Sequence, residues 1–213
     1  IYGAGGLGRE IFELAQIINE TEKRWESFIF IVDDSNEEEL EGIKILDYEN
    51  AKNHFGNNLE VVVGIGEPKV REKKISQLEK DRICIPTLIH PSIHIPKTTT
   101  IGNGVVIQYG CFVSCNVTIG DYVYIQPLCN IGHDAKIMKG CMISGFCNIA
   151  GSVSIGENVF IGMSVAIKED VRIGNDSIIS MGSIVFKDLD DKSLAMGNPS
   201  RVIGKNDNNK IFK

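Results

Sequence analysis

Several things are scarce in this 213-residue chain. No apolar run reaches the ~18 residues of a membrane span, so a membrane protein is not expected. Positive charge is in deficit: 22 Lys+Arg face 28 Asp+Glu, for a net charge of -6. That excludes the basic stripe of a nucleic-acid binder. The six cysteines form no C-x-x-C pair, so no metal is expected. Without a secretory context, disulfides are not the default reading either. The chain opens at Ile1 inside an apolar pattern, without an initiator Met, and no signal peptide is expected. A few residues of the first strand are expected to precede Ile1. What is present, 43% apolar and 23% charged residues, is ordinary for a folded soluble protein and excludes disorder as the main state.

Residues 1–88 alternate apolar runs with amphipathic stretches. Ile1-Tyr2 ends a strand, and Gly3-Ala4-Gly5-Gly6-Leu7-Gly8 is a Gly-rich turn. Residues 9–22 carry Ile11, Phe12, Leu14, Ala15, Ile17 and Ile18 at helical spacing. Phe28 to Val32 and Val61 to Val63 are continuous apolar runs, as in strands covered on both faces. Further helices are predicted over 47–55 and over 68–80, the latter opened by Pro68. Ile83-Cys84-Ile85 is a last short strand. This is a small α/β unit, expected to hold a parallel sheet.

From residue 89 the period becomes six. Every sixth residue from Ile89 to Val185 is Ile or Val, 17 of 17. With about half of residues apolar, an unbroken apolar run of that length arises by chance roughly once in 10⁵. Four residues after each aliphatic lies a small or β-branched residue, among them Cys111, Val117, Cys129, Ala135, Cys141, Cys147, Ser177 and Ser183. Gly, Asn and Asp recur nearby, tolerating the positive φ that corners need. The pattern describes a parallel β-helix, a prism of short strands with one large aliphatic per hexad pointing inward. Four cysteines then act as small hydrophobes in the crowded inward position. After the coils come Gly197-Asn198-Pro199-Ser200-Arg201 and a polar tail, 204–213.

These features resemble the hexapeptide-repeat acyltransferases. The nearer likeness is to the sialic-acid O-acetyltransferase and the bacterial nucleotide-amino-sugar N-acetyltransferases. It is carried by the opening Gly-rich turn, Asp33-Asp34 after the second strand, Gly132-His133-Asp134 in the coils and Gly197 to Arg201 after them. The resemblance implies a Rossmann-like, nucleotide-sugar-binding α/β domain over 1–88 and a left-handed β-helix over 89–203. It also implies a cytoplasmic homotrimer, with acetyl-CoA bound in grooves between subunits.

His133 is the expected general base: imidazole, with a reference pKa of ~6.5, can hold a proton near neutrality. Asp134 would fix its tautomer, where relatives often carry Glu; a corner-capping role is the alternative. A covalent route through Cys129 or Cys141 is the rival mechanism. His54, His90 and His94 are weaker candidates. A three-histidine metal site is not expected, because His90 and His94 lie more than two coils before His133.

Gly3, Gly5, Gly6 and Gly8 are expected to receive the diphosphate of a nucleotide sugar at a helix N-terminus. A dinucleotide or a purely structural turn are the alternatives. Asp33 and Asp34 would meet ribose or base donors, or form a solvated turn. For acetyl-CoA the expected contacts are Gly151 beside the pantetheine, Met181-Gly182 at the matching place two coils later, Met163 near the adenine and Arg201 on a phosphate. Met142 stands where relatives often carry a second histidine. Three functions remain open: N-acetylation of a nucleotide-linked amino sugar, O-acetylation of a sugar hydroxyl such as that of sialic acid, and a non-enzymatic β-helix scaffold.

Overall fold

A computed structural model describes residues 1–207. The chain divides into two compact units, Ile1–Pro86 and Thr87 onward. The division falls after Pro86 because the Leu88 N–H donates to Val105 O, which makes Leu88–Ile89 the first strand of the coils.

In the first unit, strand Phe30–Ile31 (β1) pairs in parallel with Ile43–Leu46 (β3), and β3 pairs antiparallel with Glu39–Leu40 (β2). Tyr2 bridges in parallel to both Ile31 and Val63, and Glu60 bridges to Cys84, so the Val61 to Val63 run joins through single bridges. Helices Gly6–Glu22 (α1), Tyr48–Phe55 (α2) and Pro68–Lys80 (α3) connect them. Helix α1 buries Ile11, Phe12, Leu14, Ala15 and Ile18, the stripe that the spacing predicts. It begins at Gly6, ahead of that stripe, because the last glycines of the Gly-rich segment form its first turn. The β2–β3 hairpin was not legible in the sequence. Strands of two and four residues leave little periodicity, and the acidic run Glu37 to Glu39 conceals the first. The turn signal was Glu41-Gly42, both at positive φ (52° and 80°).

The second unit is a left-handed β-helix. Two-residue strands run from Leu88–Ile89 to Ile184–Val185. Through Ala166–Ile167, each pairs in parallel with the strand three hexads on, as in Ile131↔Ile149, Ile143↔Ile161 and Ile155↔Ile173. Three hexads therefore make one turn. From Ile107 onward the hexad aliphatics are buried; Ile89, Ile95 and Ile101, in the first coil, are partly buried. No strand forms at Ile95, where the flanking Pro91 and Pro96 remove N–H donors from the ladder. Cys129, Cys141 and Cys147 are 0% exposed in the small inward position. Ser177 and Ser183 share it by donating their hydroxyls to backbone carbonyls, Asp190 O and Ser180 O. Each corner places one residue in the left-handed region, from Gly104 through Asn116, Asp134 and Ser152 to Gly182.

Past the coils, strand Ser193–Met196 pairs antiparallel with Arg201–Lys205. The expected tail from 204 therefore starts as strand, and its residues 208–213 lie outside the described residues. Among the described residues, no helix is long and apolar enough to cross a membrane.

Candidate functional site

With three hexads per turn, each corner stands over the corner three hexads before it. One column holds Cys115, His133 and Gly151, joined by backbone bonds from Asp134 N to Cys115 O (3.1 Å) and from Ser152 N to His133 O (2.8 Å). His133 stands on this column because its corner follows strand Asn130–Ile131: Ile131 points inward, and the turn residue two places on points out. The His133 side chain is 63% exposed.

Asp134 has φ 60°, a conformation Asp and Asn tolerate better than most residues. Its Oδ2 lies 2.8 Å from His133 Nδ1. A carboxylate only accepts, so this contact places the proton on Nδ1 and leaves Nε2 with a free lone pair. The hydrogen bond from His133, and then one from Asn116 Nδ2 at 3.2 Å, hold the Asp134 carboxyl below its ordinary range.

Gly151 lies one coil above the imidazole. A Cβ there would sit 2.6 Å from both His133 Cε1 and Nε2, so the ring occupies the space a side chain would need. Gly151 is the glycine expected beside the pantetheine; in the structure its missing side chain leaves room for the imidazole.

The rival covalent route loses its nucleophiles. Cys129 and Cys141 are both 0% exposed. The Cys129 thiol is pushed up to about 12: a bond with Cys111 lowers it, but a bond with Cys147 and burial raise it further. His54 is exposed on α2, and His90 bonds Ser92 Oγ through Nδ1 at 2.8 Å. No group of three or more His, Cys, Asp or Glu among the described residues is arranged to hold a metal.

The expected acetyl-CoA residues do not all share the His133 column. Met181-Gly182 was expected two coils above Gly151, but Met181 follows Gly151 by five hexads, and two coils take six. The Gly182 N–H instead donates to Met163 O at 2.8 Å, so Met163 and Met181 stack on a different corner, 46% and 72% exposed. A Cβ on Gly182 would meet nothing within 4 Å. Met142 presents almost no surface to a ligand: it is 6% exposed, paired in its strand with Tyr124 and Phe160. Arg201 is exposed at the start of the last strand.

In the first unit the Gly-rich turn divides by role. A Cβ on Gly8 would collide with the Gly3 carbonyl, and one on Gly64 would sit 2.6 Å from Gly8 Cα. Gly3, Gly8 and the unforeseen Gly64 thus let α1 approach the sheet. Gly5 and Gly6 face open space at the α1 N-terminus, with no side-chain cap and no acidic residue in the first turn. Free N–H groups and the helix dipole favour an anion there. Gly8→Ala is therefore expected to cost the first unit about 3 kcal/mol, read by denaturation followed through Trp25. Gly6→Ala is expected to leave that transition unchanged or raise it, because Ala is the better helix former, while weakening anion binding.

Asp33 accepts from Tyr2 Oη at 2.7 Å and from Lys74 Nζ. Burial pushes its carboxyl up, but the bonds from Lys74 and Tyr2 outweigh this and hold it below the ordinary value. Asp33 is thus already engaged, whereas the neighbouring Asp34 is exposed. Lys74, from α3, was not foreseen, because the charged face of that helix reads as solvated.

The family model described as PglD N-terminal domain matches residues 1–78. The model described as bacterial transferase hexapeptide (six repeats) matches 116–151 and 152–187. No curated protein matches the sequence significantly. Among solved structures, a mutant of perosamine N-acetyltransferase from Caulobacter crescentus, in complex with CoA and GDP-perosamine, is similar: TM-score 0.85, 25% identity, 96% of this chain and 95% of that one. WeeI from Acinetobacter baumannii has TM-score 0.80 and 26% identity over 95% of this chain and 97% of that one. The acetyltransferase domain of PglB from Neisseria gonorrhoeae, with acetyl coenzyme A, shares the fold at TM-score 0.87 and 22% identity, over 95% and 97%.

Proposed function

We propose that this chain is a hexapeptide-repeat sugar acetyltransferase that transfers the acetyl group of acetyl-CoA to the amine of a nucleotide-linked amino sugar, for bacterial surface-glycan synthesis. The observation that carries this reading is the His133–Asp134 pair, an exposed imidazole with Nδ1 tied to a carboxylate and Nε2 left as acceptor. The acceptor class is supported by the Caulobacter enzyme, which binds CoA and GDP-perosamine.

His133 Nε2 takes the proton of the amine as its nitrogen attacks the thioester carbonyl carbon. The C–N bond forms, the C–S bond breaks, and the imidazolium returns the proton to the departing thiolate. Asp134 keeps the ring in the required tautomer and offsets its transient positive charge. No acyl-enzyme is required, consistent with the buried Cys129 and Cys141 thiols.

The Gly5 and Gly6 amides are assigned the diphosphate, with Asp34 and the edge of Asp33 assigned to ribose or base. Gly151 borders the acetyl-CoA path, Arg201 meets a phosphate, and Met163, Met181 and Gly182 flank the remainder. Since these last three stand on another corner than His133, they serve the same site only if a second copy supplies them. Phe146 and Leu128, exposed on the same corner as Met163 one and two coils before it, add apolar surface there, which supports the homotrimer with sites between subunits. Light scattering that gives a trimer is the expected result, and a monomer removes the shared site. A cytoplasmic setting belongs to the same proposal and agrees with six free cysteines.

The test is to incubate the protein with acetyl-CoA and a panel of GDP-, UDP- and dTDP-linked amino sugars. A product carrying one added acetyl group that survives alkali is expected. An alkali-labile product would indicate the hydroxyl acceptor instead. No product and no binding of CoA or any nucleotide sugar would leave the scaffold reading.

A further inference from the structure

The corner beneath His133 carries a residue that the motifs of the sequence do not single out. Asn116 precedes Asp134 by three hexads, so it occupies the same left-handed corner position one coil down, with φ 58°. Its backbone N–H donates to Thr98 Oγ1 at 3.1 Å, and its side-chain amide donates through Nδ2 to Asp134 Oδ1 at 3.2 Å. Asp134 Oδ2 is the atom that meets His133. The two carboxylate oxygens are thus divided, one held from the coil below and the other facing the imidazole.

The geometry points to Asn116 as a positioning residue for the proposed acetyl transfer: it fixes the rotation of the Asp134 carboxylate so that one oxygen stays aligned with His133 Nδ1. This rests on the reading of His133 as the base. An exposed carboxylate bound only to His133 can rotate about its χ angles and exchange that contact for water. A second tether from a neighbouring coil restricts the rotation, because both corners are anchored by ladder bonds. The donor also favours the ionised carboxylate, so the proton in flight remains on the imidazole. No other charged side chain stands on the adjoining corners: Cys115 and Asn116 lie below Asp134, and Gly151 and Ser152 lie above it. The signal was present in the sequence as an Asn three hexads before the Asp; that the two side chains meet is visible only in the folded chain.

Asn116→Gly is the clean test, since other corners of this helix hold Gly in the same conformation, at Gly104, Gly110, Gly140 and Gly182. The expected result is a fall in kcat of about tenfold, the equivalent of one exposed charge-assisted hydrogen bond, with KM for both substrates unchanged. In an Asp134→Gly background the same substitution is expected to have no further effect. Carboxyl-carbon NMR should show the Asp134 titration moved to higher pH in Asn116→Gly, and further in Asn116→Asp, where a second carboxylate faces it. Equal fold-losses with and without Asp134, or wild-type kcat together with an unmoved Asp134 titration, would overturn the assignment. The titration does not depend on turnover. If no acceptor is acetylated by the wild-type protein, the proposed function fails, while the Asn116–Asp134 tether is still decided by the NMR measurement.

Discussion

His133→Ala is expected to lower kcat by about 10²–10⁴-fold, the usual worth of general-base assistance, with the melting transition of the β-helix unchanged. The fold does not depend on the imidazole. Its side chain is 63% exposed, and its corner is held by backbone bonds, Asp134 N to Cys115 O below and Ser152 N to His133 O above. Binding of both substrates should survive, because the groups assigned to them lie elsewhere: the α1 N-terminus for the diphosphate, the Met163–Met181 corner for part of acetyl-CoA. Steady-state kinetics alongside calorimetric titration of CoA separates the two effects. Full turnover in the variant would remove His133 from the chemistry.

Gly151→Ala is expected to be nearly as damaging to turnover and almost silent in stability. Gly151 does not have a positive φ, so the backbone accepts a Cβ. The Cβ would stand 2.6 Å from His133 Cε1 and Nε2, well inside contact distance, and one of the two groups must give way. The imidazole is the looser partner, an exposed ring at the end of two rotatable bonds. Swinging it clear breaks the 2.8 Å contact to Asp134 and carries Nε2 away from the amine. Misplacing a catalytic group by about 1 Å can cost about 10²-fold, and kcat is expected to fall by that order. The kinetic split separates this account from the simpler one in which Gly151 only makes room for pantetheine. Displacement of the ring lowers kcat and leaves KM for acetyl-CoA near its wild-type value, whereas steric exclusion of the cosubstrate raises that KM. Wild-type kcat in Gly151→Ala would show that the ring position does not limit the reaction.

The order of residues was enough to predict the β-helix, its inward residues and the corner that carries His133. A repeat of six is read without knowing any long-range contact, because each hexad buries one aliphatic through the same local geometry. The inward thiols Cys129, Cys141 and Cys147 followed from that frame. The α/β character of the first unit and the stripe of α1 were legible for the same local reason. Three hexads per turn fixes which corners are stacked, and by that count alone Met181, five hexads after Gly151, leaves its column. Which side chains meet across stacked corners emerges only in the folded chain, because side-chain rotation at a corner is set by neighbours a coil away. Folding turned the Asn116 amide to Asp134 and brought the His133 ring beneath Gly151. Folding also divided the glycines of the opening turn. Gly3 and Gly8 are required by the approach of a helix to its sheet, and Gly64, remote from Gly8 along the chain, completes that contact. Gly5 and Gly6 remain open to a ligand. Four glycines that look alike in one dimension separate only when their neighbours in space are known.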